Sequence, residues 1–226
     1  MVINLKIQIA TKEHLSYVDV ILQTIADAAK VRGTGIAKRN PDYVALKIKE
    51  GKAIIALDGD VFAGFCYIES WGHNKFVANS GLIVVEKYRG HGLAKDIKKM
   101  AFDLSRVKFP DAKIFGLTTG LAVMKINSEL GYRPVTFSEL TDDEAFWKGC
   151  QSCVNYDILM RTGRKHCLCT GMLYDPVWEK NAKSNGNHPE PKTLHNGKDM
   201  PVYGRWLRFK QSVLMKLSFT GNGKSK

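Results

Sequence analysis

Six consecutive residues, Arg89-Gly90-His91-Gly92-Leu93-Ala94, carry the clearest chemical signal in this chain of 226 residues. An apolar run, Leu82-Ile83-Val84-Val85, leads into the turn, and a helical pattern follows it at once. Glycine lets the main chain approach a ligand closely, and successive N–H groups at a helix start form a cradle for an anion. The helix dipole works in the same direction, so the turn suits a pyrophosphate. It is neither a P-loop nor a full dinucleotide fingerprint, because Gly-Lys-Ser/Thr and Gly-x-Gly-x-x-Gly are both absent from it.

A second group of reactive side chains is the cysteines Cys150, Cys153, Cys167 and Cys169, two close pairs separated by 13 residues. Four thiolates so spaced can surround a tetrahedral zinc ion, which would be structural because four sulfurs leave no open position. The alternative is four small buried residues packing an extension against a domain. Cys66, within Gly64-Phe65-Cys66-Tyr67, reads as a core strand residue. In a cytosolic chain these cysteines are not a disulfide framework.

Stepping out from these residues, the chain is 44% hydrophobic and 25% charged, an ordinary globular composition with room for a sizeable core. That excludes a wholly disordered or collagen-like chain. No apolar run is long enough for a membrane span, and the opening Met-Val-Ile-Asn-Leu-Lys lacks the parts of a signal peptide. A cytoplasmic protein without a membrane partner is expected. The net charge is +12, of which +7 falls in residues 176–226. Such a balance favours anionic partners: nucleic acid, a membrane surface, or phosphorylated and carboxylated small molecules. The basic aromatic run Arg205-Trp206-Leu207-Arg208-Phe209-Lys210 fits a nucleic-acid-binding module, a helix closing an active site, or a contact with a second copy in a homodimer.

Hydrophobic periodicity gives the elements that position the turn. A strand over Asn4–Ala10 is followed by a helix capped by Thr11 and a short helix opened by Asn40-Pro41. Strands over Lys52–Leu57 and Val61–Ser70 flank Asp58-Gly59-Asp60, and Phe76–Val85 is the next strand. Beyond the glycine turn come a helix from Leu93 to Val107, a strand over Lys113–Thr118, a helix over Leu121–Leu130 and a strand over Tyr132–Thr136. The pattern predicts an α/β (α+β) domain over residues 1–140: a mixed, mostly antiparallel twisted sheet flanked by helices. A cysteine-containing extension, 141–175, then packs on it. A polar loop and a basic C-terminal helix, Tyr203–Phe219, occupy 176–226.

With this order in hand, the turn resembles the signature of the GNAT superfamily of acyl-CoA-dependent N-acyltransferases, Arg/Gln-x-x-Gly-x-Gly/Ala, which Arg89–Ala94 matches at every fixed position. The resemblance covers roughly residues 3–140, and the element order is the family's. It implies acetyl-CoA, or another acyl-CoA, as co-substrate. The turn from Arg89 through Gly90, His91, Gly92, Leu93 and Ala94 would hold the pyrophosphate. The pantetheine arm would pair with Ile83 and Val85, and the N–H near Val84 would polarise the thioester carbonyl. Leu130-Gly131-Tyr132-Arg133-Pro134-Val135 is similar to the family's helix-to-strand corner, and aligning it puts Asn127 where many members carry a tyrosine that protonates the leaving thiolate. Thr118-Thr119 and Gly131–Val135 are also similar to the acyltransferase domain of N-acetylglutamate synthases, and the chain to a bacterial branch associated with arginine biosynthesis.

The resemblance further implies direct attack by an amine in a ternary complex, with the acceptor entering beside the first helices and the third and fourth strands. Arg32, ahead of Gly33-Thr34-Gly35, is the expected partner of an acceptor carboxylate, which makes a small acidic amino acid such as glutamate the expected amine. A protein or peptide amine is the alternative acceptor. Asn79 and Ser80 are expected to hydrogen-bond it. Glu69 is the first choice of general base and His73 the second.

Overall fold

The computed structural model describes residues 4–32 and 38–184. Contacts divide the chain into 1–187 and 188–226, and the described residues belong to the first unit. Seven strands form one sheet: β1 (Leu5–Ile9), β2 (Ala53–Asp58), β3 (Val61–Trp71), β4 (Phe76–Val84), β5 (Lys113–Thr118), β6 (Arg133–Val135) and β7 (Thr170–Tyr174). Their spatial order is β1-β2-β3-β4-β5-β7-β6, and β4–β5 is the parallel pair in an otherwise antiparallel sheet. Seven α-helices accompany them among the described residues: α1 (Val18–Arg32), α2 (Pro41–Lys49), α3 (Leu93–Lys108), α4 (Leu121–Glu129), α5 (Glu144–Lys148), α6 (Tyr156–Arg161) and α7 (Pro176–Ser184).

Strand alternation explains the layers. Ala53, Ile55 and Leu57 of β2 pack with Ile21 and Ile25 of α1 and Val44 and Ile48 of α2. Ile54 and Ala56 point the other way, toward Leu93, Ile97, Ala101 and Leu104 of α3. Because both faces are covered, Phe62 to Ile68 of β3 are buried one after another and show no polar alternation. The helix starts follow local chemistry. Asn40 accepts the Asp42 N–H at 2.8 Å and Pro41 fills the first position of α2. Ahead of α1 the chain makes a 3₁₀ turn in which His14 Nδ1 accepts the Thr11 N–H at 3.0 Å.

The C-terminal part departs from the sequence reading. Residues 141–175, expected as an extension packed on the domain, supply a strand of the sheet itself. β7 inserts between β5 and β6, pairing Leu173 with both Phe115 and Arg133. The stretch between β6 and β7 folds over one face, where Phe137, Leu140, Trp147 and Leu159 pack on Ala78, Phe115 and Leu173. Asn181, expected in a polar loop, lies in α7. The predicted helix over 203–219 and the basic tail fall outside the described residues. No helix among the described residues is long and apolar enough to cross a membrane.

Candidate active site

The parallel pair is short, and that makes an opening. β4 and β5 pair at Phe76–Lys113, Val77–Ile114 and Ala78–Phe115 and then part, β5 continuing against β7 while β4 continues against β3. From Asn79 onward one edge of β4 therefore lacks a strand partner. The register with β3 shifts between Phe65 and Tyr67, a bulge opposite Gly81, whose φ is +68°. Only glycine serves there: a Cβ would meet Tyr67 Cε1 at 2.7 Å.

The glycine turn stands at the end of this free edge. Gly90 and Gly92 have φ of +84° and +83°, and a Cβ built on either would meet nothing within 4 Å, so open space lies over the turn. The N–H groups of Gly90, His91, Gly92, Leu93 and Ala94 have no acceptor among the described residues, whereas the next donor, Lys95 N–H, bonds to the Gly92 carbonyl at 2.8 Å. Five successive N–H groups without an acceptor thus stand at the start of a 16-residue helix. Arg89 does not join them through its Nε, which donates to the Val84 carbonyl at 3.0 Å and ties the turn to the strand.

The phase of β4 corrects one expectation. Val85 N–H donates to Ala63 O at 2.9 Å, and by antiparallel alternation the amide of Ile83, opposite Phe65, also faces β3. The main-chain groups turned to the opening are those of Leu82 and Val84. Ile83 and Val85 thus cannot offer the strand-like pairing expected of them, while Val84 keeps its N–H for the role expected of it.

Asn79 is also corrected. It is buried, its Nδ2 donates to Ser105 Oγ at 2.8 Å and its Oδ1 accepts from Tyr132 OH at 2.8 Å, so both ends of the amide serve a network under α3. Ser80 is half-buried and pairs with Tyr67; its carbonyl accepts the Cys66 thiol at 3.3 Å. Asn127, on α4, is 1% exposed and its Oδ1 has no partner. His73 lies in the exposed β3–β4 hairpin, at the far end of β4 from the glycine turn, about 25 Å along the strand.

On the opposite face from α3, Glu69 is a crowded carboxylate. Its Oε2 pairs with Lys47 Nζ and accepts from Tyr43 OH at 3.0 Å, and its Oε1 accepts from Ser70 N–H at 3.2 Å with Lys52 Nζ 3.9 Å away. Burial and the adjoining Glu69 hold the Tyr43 hydroxyl well above the usual tyrosine range. Held by Lys47, Tyr43 and the Ser70 N–H, the Glu69 carboxylate is fixed in place and organises this face of the sheet. Beside it, Arg39 Nε donates to Tyr67 OH at 2.7 Å, and its guanidinium lies 5.9 Å from the centre of the Tyr67 ring. Arg32 closes α1; its side chain and residues 33–37 fall outside the described residues.

The four cysteines do converge, lining one small pocket with Leu117, Phe137, Asn155, Tyr156 and Leu159. Among the described residues, however, no group of three or more His, Cys, Asp or Glu is disposed to hold a metal ion. Burial pushes the Cys150 thiol up to about 11 and that of Cys169 up to about 12. The cysteines are placed as the packing alternative expects: Cys150, Cys167 and Cys169 border the cluster built on Trp147 and Leu159.

Comparison with known proteins follows the same lines. No family model and no curated protein sequence matches the chain. Among solved structures, the N-acetylglutamate synthase of Neisseria gonorrhoeae, complexed with coenzyme A and N-acetyl-glutamate, is similar at TM-score 0.55 and 13% identity over 77% of this chain. The chain spans 36% of that protein's length. Diaminobutyrate acetyltransferase from Paenibacillus lautus, in complex with its substrate and coenzyme A, is similar at TM-score 0.52 and 12% identity, covering 77% of this chain and 96% of that one. The NatC complex bound to Gag peptide and CoA gives TM-score 0.53 and 13% identity, covering 76% and 98%. At such identities the fold is what is shared, and it is the fold of the GNAT acetyltransferases.

Proposed function

We propose that the protein is an acyl-CoA-dependent N-acyltransferase that moves an acyl group, acetyl in the first instance, to the amine of a small amino acid by direct attack in a ternary complex. The observation that carries this reading is the run of five unpartnered N–H groups over the Gly90–Gly92 turn, placed where β4 has lost its neighbour. The donor set fits a pyrophosphate, and the free edge of β4 fits an extended arm laid beside it. Bound acyl-CoA supplies a thioester, whose carbonyl the amine attacks.

The chain's own groups then divide the work. Gly90 to Ala94 bind the phosphates through main-chain N–H. Leu82 and Val84 present main-chain N–H groups to the opening as oxyanion-type donors, Leu82 being the nearer to the point where β4 and β5 part. Gly81 and Tyr67 shape the bulge beside them. On the acceptor face Arg32, whose side chain lies outside the described residues, keeps the part assigned to it from sequence, and Arg39, held by Tyr67 OH and the Lys38 carbonyl, adds positive charge beside it. A guanidinium holds a carboxylate in two-point fashion, which favours an acidic amino acid over a cationic one. The likeness to a synthase complexed with N-acetyl-glutamate supports the same choice.

The test is free-thiol release from acetyl- and succinyl-CoA with glutamate, ornithine and a lysine peptide as acceptors. Glutamate is expected to be fastest. Faster release with ornithine or the peptide would overturn the acidic acceptor and leave acyl transfer standing. In parallel, Gly92→Val is expected to weaken CoA binding at least tenfold, about 1.4 kcal/mol, because a branched side chain at φ +83° fills the space over the turn. Unchanged CoA affinity in a folded variant would remove the phosphate cradle, and the proposed function with it.

A further inference from the structure

Lys98 is the one buried lysine on the sheet-facing side of α3, and the roles assigned above leave it unused. It lies one residue after Ile97 and three before Ala101, on the stripe that also holds Leu93 and Leu104, and is 2% exposed. No hydrogen-bond acceptor reaches its Nζ among the described residues; the ammonium sits 5.2 Å from the centre of the Tyr132 ring. An ammonium on a side chain buried to this extent is expensive, so its place in the fold calls for a reason. That place is the apex of the opening. A Cβ built on Gly116, the first β5 residue beyond the last β4–β5 pair, would lie 3.9 Å from Lys98 Nζ and 3.4 Å from the Asn79 carbonyl. The positive charge therefore stands where the two strands part.

We propose that Lys98 is the acid that meets the leaving sulfur, donating its proton to the CoA thiolate at the apex between β4 and β5. The inference rests on the acyltransferase reading above. The acceptor ammonium loses one proton to solvent, its nitrogen attacks the thioester carbon, and the nitrogen of the resulting tetrahedral adduct gives a second proton to solvent. The C–S bond breaks with its electron pair on sulfur, and sulfur takes a proton from Lys98 Nζ. Lys98 is left a neutral amine and is reprotonated from solvent when CoA departs. Asn127, at the position where the resemblance leads one to look for an acid, has only an amide to offer, which cannot give up a proton to a thiolate. Its unpartnered Oδ1 is an acceptor.

Burial lowers the Lys98 ammonium to about 8, close to the range of a thiol, so proton transfer to sulfur is nearly balanced. Cys66 from β3 and Tyr132 from the α4–β6 corner are the titratable groups that face it, and burial raises both, the thiol to about 11. Both stay neutral through the pH range in which the lysine titrates.

The experiment compares wild type and Lys98→Met in thiol release, and compares CoA with desulfo-CoA by calorimetry. Methionine keeps the unbranched shape and removes the charge. The variant is expected to lose about 100-fold in kcat with little change in the KM for acyl-CoA, the lower end of the range for general acids. Its kcat should also lose the falling limb above about pH 8. Wild type is expected to bind CoA more tightly than desulfo-CoA, and Lys98→Met to bind the two alike. The wild-type comparison stands even if the variant fails to fold. An active wild type whose kcat Lys98→Met matches, or a wild type that binds CoA and desulfo-CoA equally, would overturn the role of Lys98 alone. A wild type that binds neither would overturn the acyltransferase reading and this inference together.

Discussion

Lys47→Met should cost about 3 kcal/mol of stability, the lower end of what breaking a buried ion pair costs when one charge stays behind. The side chains of Lys47 and Glu69 are 5% and 13% exposed, so the carboxylate left by the substitution is nearly sealed from water. Tyr43 OH, Ser70 N–H and Lys52 would still serve it, which keeps the loss from the upper end. For a unit of this size the melting temperature should fall roughly 6 to 12 °C. The double variant Lys47→Met with Glu69→Gln removes both charges, and an amide can still accept from Tyr43. It should recover most of the loss, and a double-mutant cycle by denaturant unfolding measures how much. The same pair of variants examines the organiser role. Thiol release by the double variant at the wild-type rate is the outcome expected if Glu69 positions Tyr43 and β3. A collapse of kcat in a stable double variant would restore Glu69 as the base.

What could be read from sequence is what is written locally. The strand, the two glycines and the helix start are contiguous, so the turn at Gly90–Gly92 was readable from one short stretch, and the first six strands and four helices follow their periodicities closely. What was missed depends on partners far along the chain. β7 is five residues behind a pair of cysteines and ahead of Asp175-Pro176, and its identity as a strand comes from the gap it fills between β5 and β6. The bulge at Gly81 shifts the phase of β4, which turned Ile83 and Val85 toward β3 and left Leu82 and Val84 for the opening. The resemblance places Asn79 beside the acceptor, on the fourth strand; its side-chain partners, Ser105 and Tyr132, lie 26 and 53 residues away. Lys98 was hidden by its neighbours. Between Lys95 and Lys99 it looks like part of a solvated face, yet it sits three residues before Ala101 and seven before Ser105, on the buried stripe. That spacing was the available signal.

The same lysine sets how stability responds to pH. Its ordinary value is 10.5 and burial lowers it to about 8 in the folded protein. Between those values the unfolded chain holds the proton more tightly, so stability rises with pH through this window and the penalty is complete only below about 8. At about pH 6.5 the buried charge costs on the order of 3 kcal/mol, and at about pH 9.5 on the order of 1 kcal/mol. Lys98→Met should accordingly be more stable than wild type at the lower pH, by several degrees in melting temperature, and most of that advantage should vanish at the higher one. Other lysines titrate in both proteins and cancel in the difference. An advantage that stays constant across the window would mean that Lys98 titrates at its ordinary value and finds a partner in solution. A variant less stable than wild type at every pH would mean that the ammonium is a structural asset. A variant that gains stability at neutral pH while losing turnover separates the two roles, because the group that burdens the fold is then the group the chemistry needs.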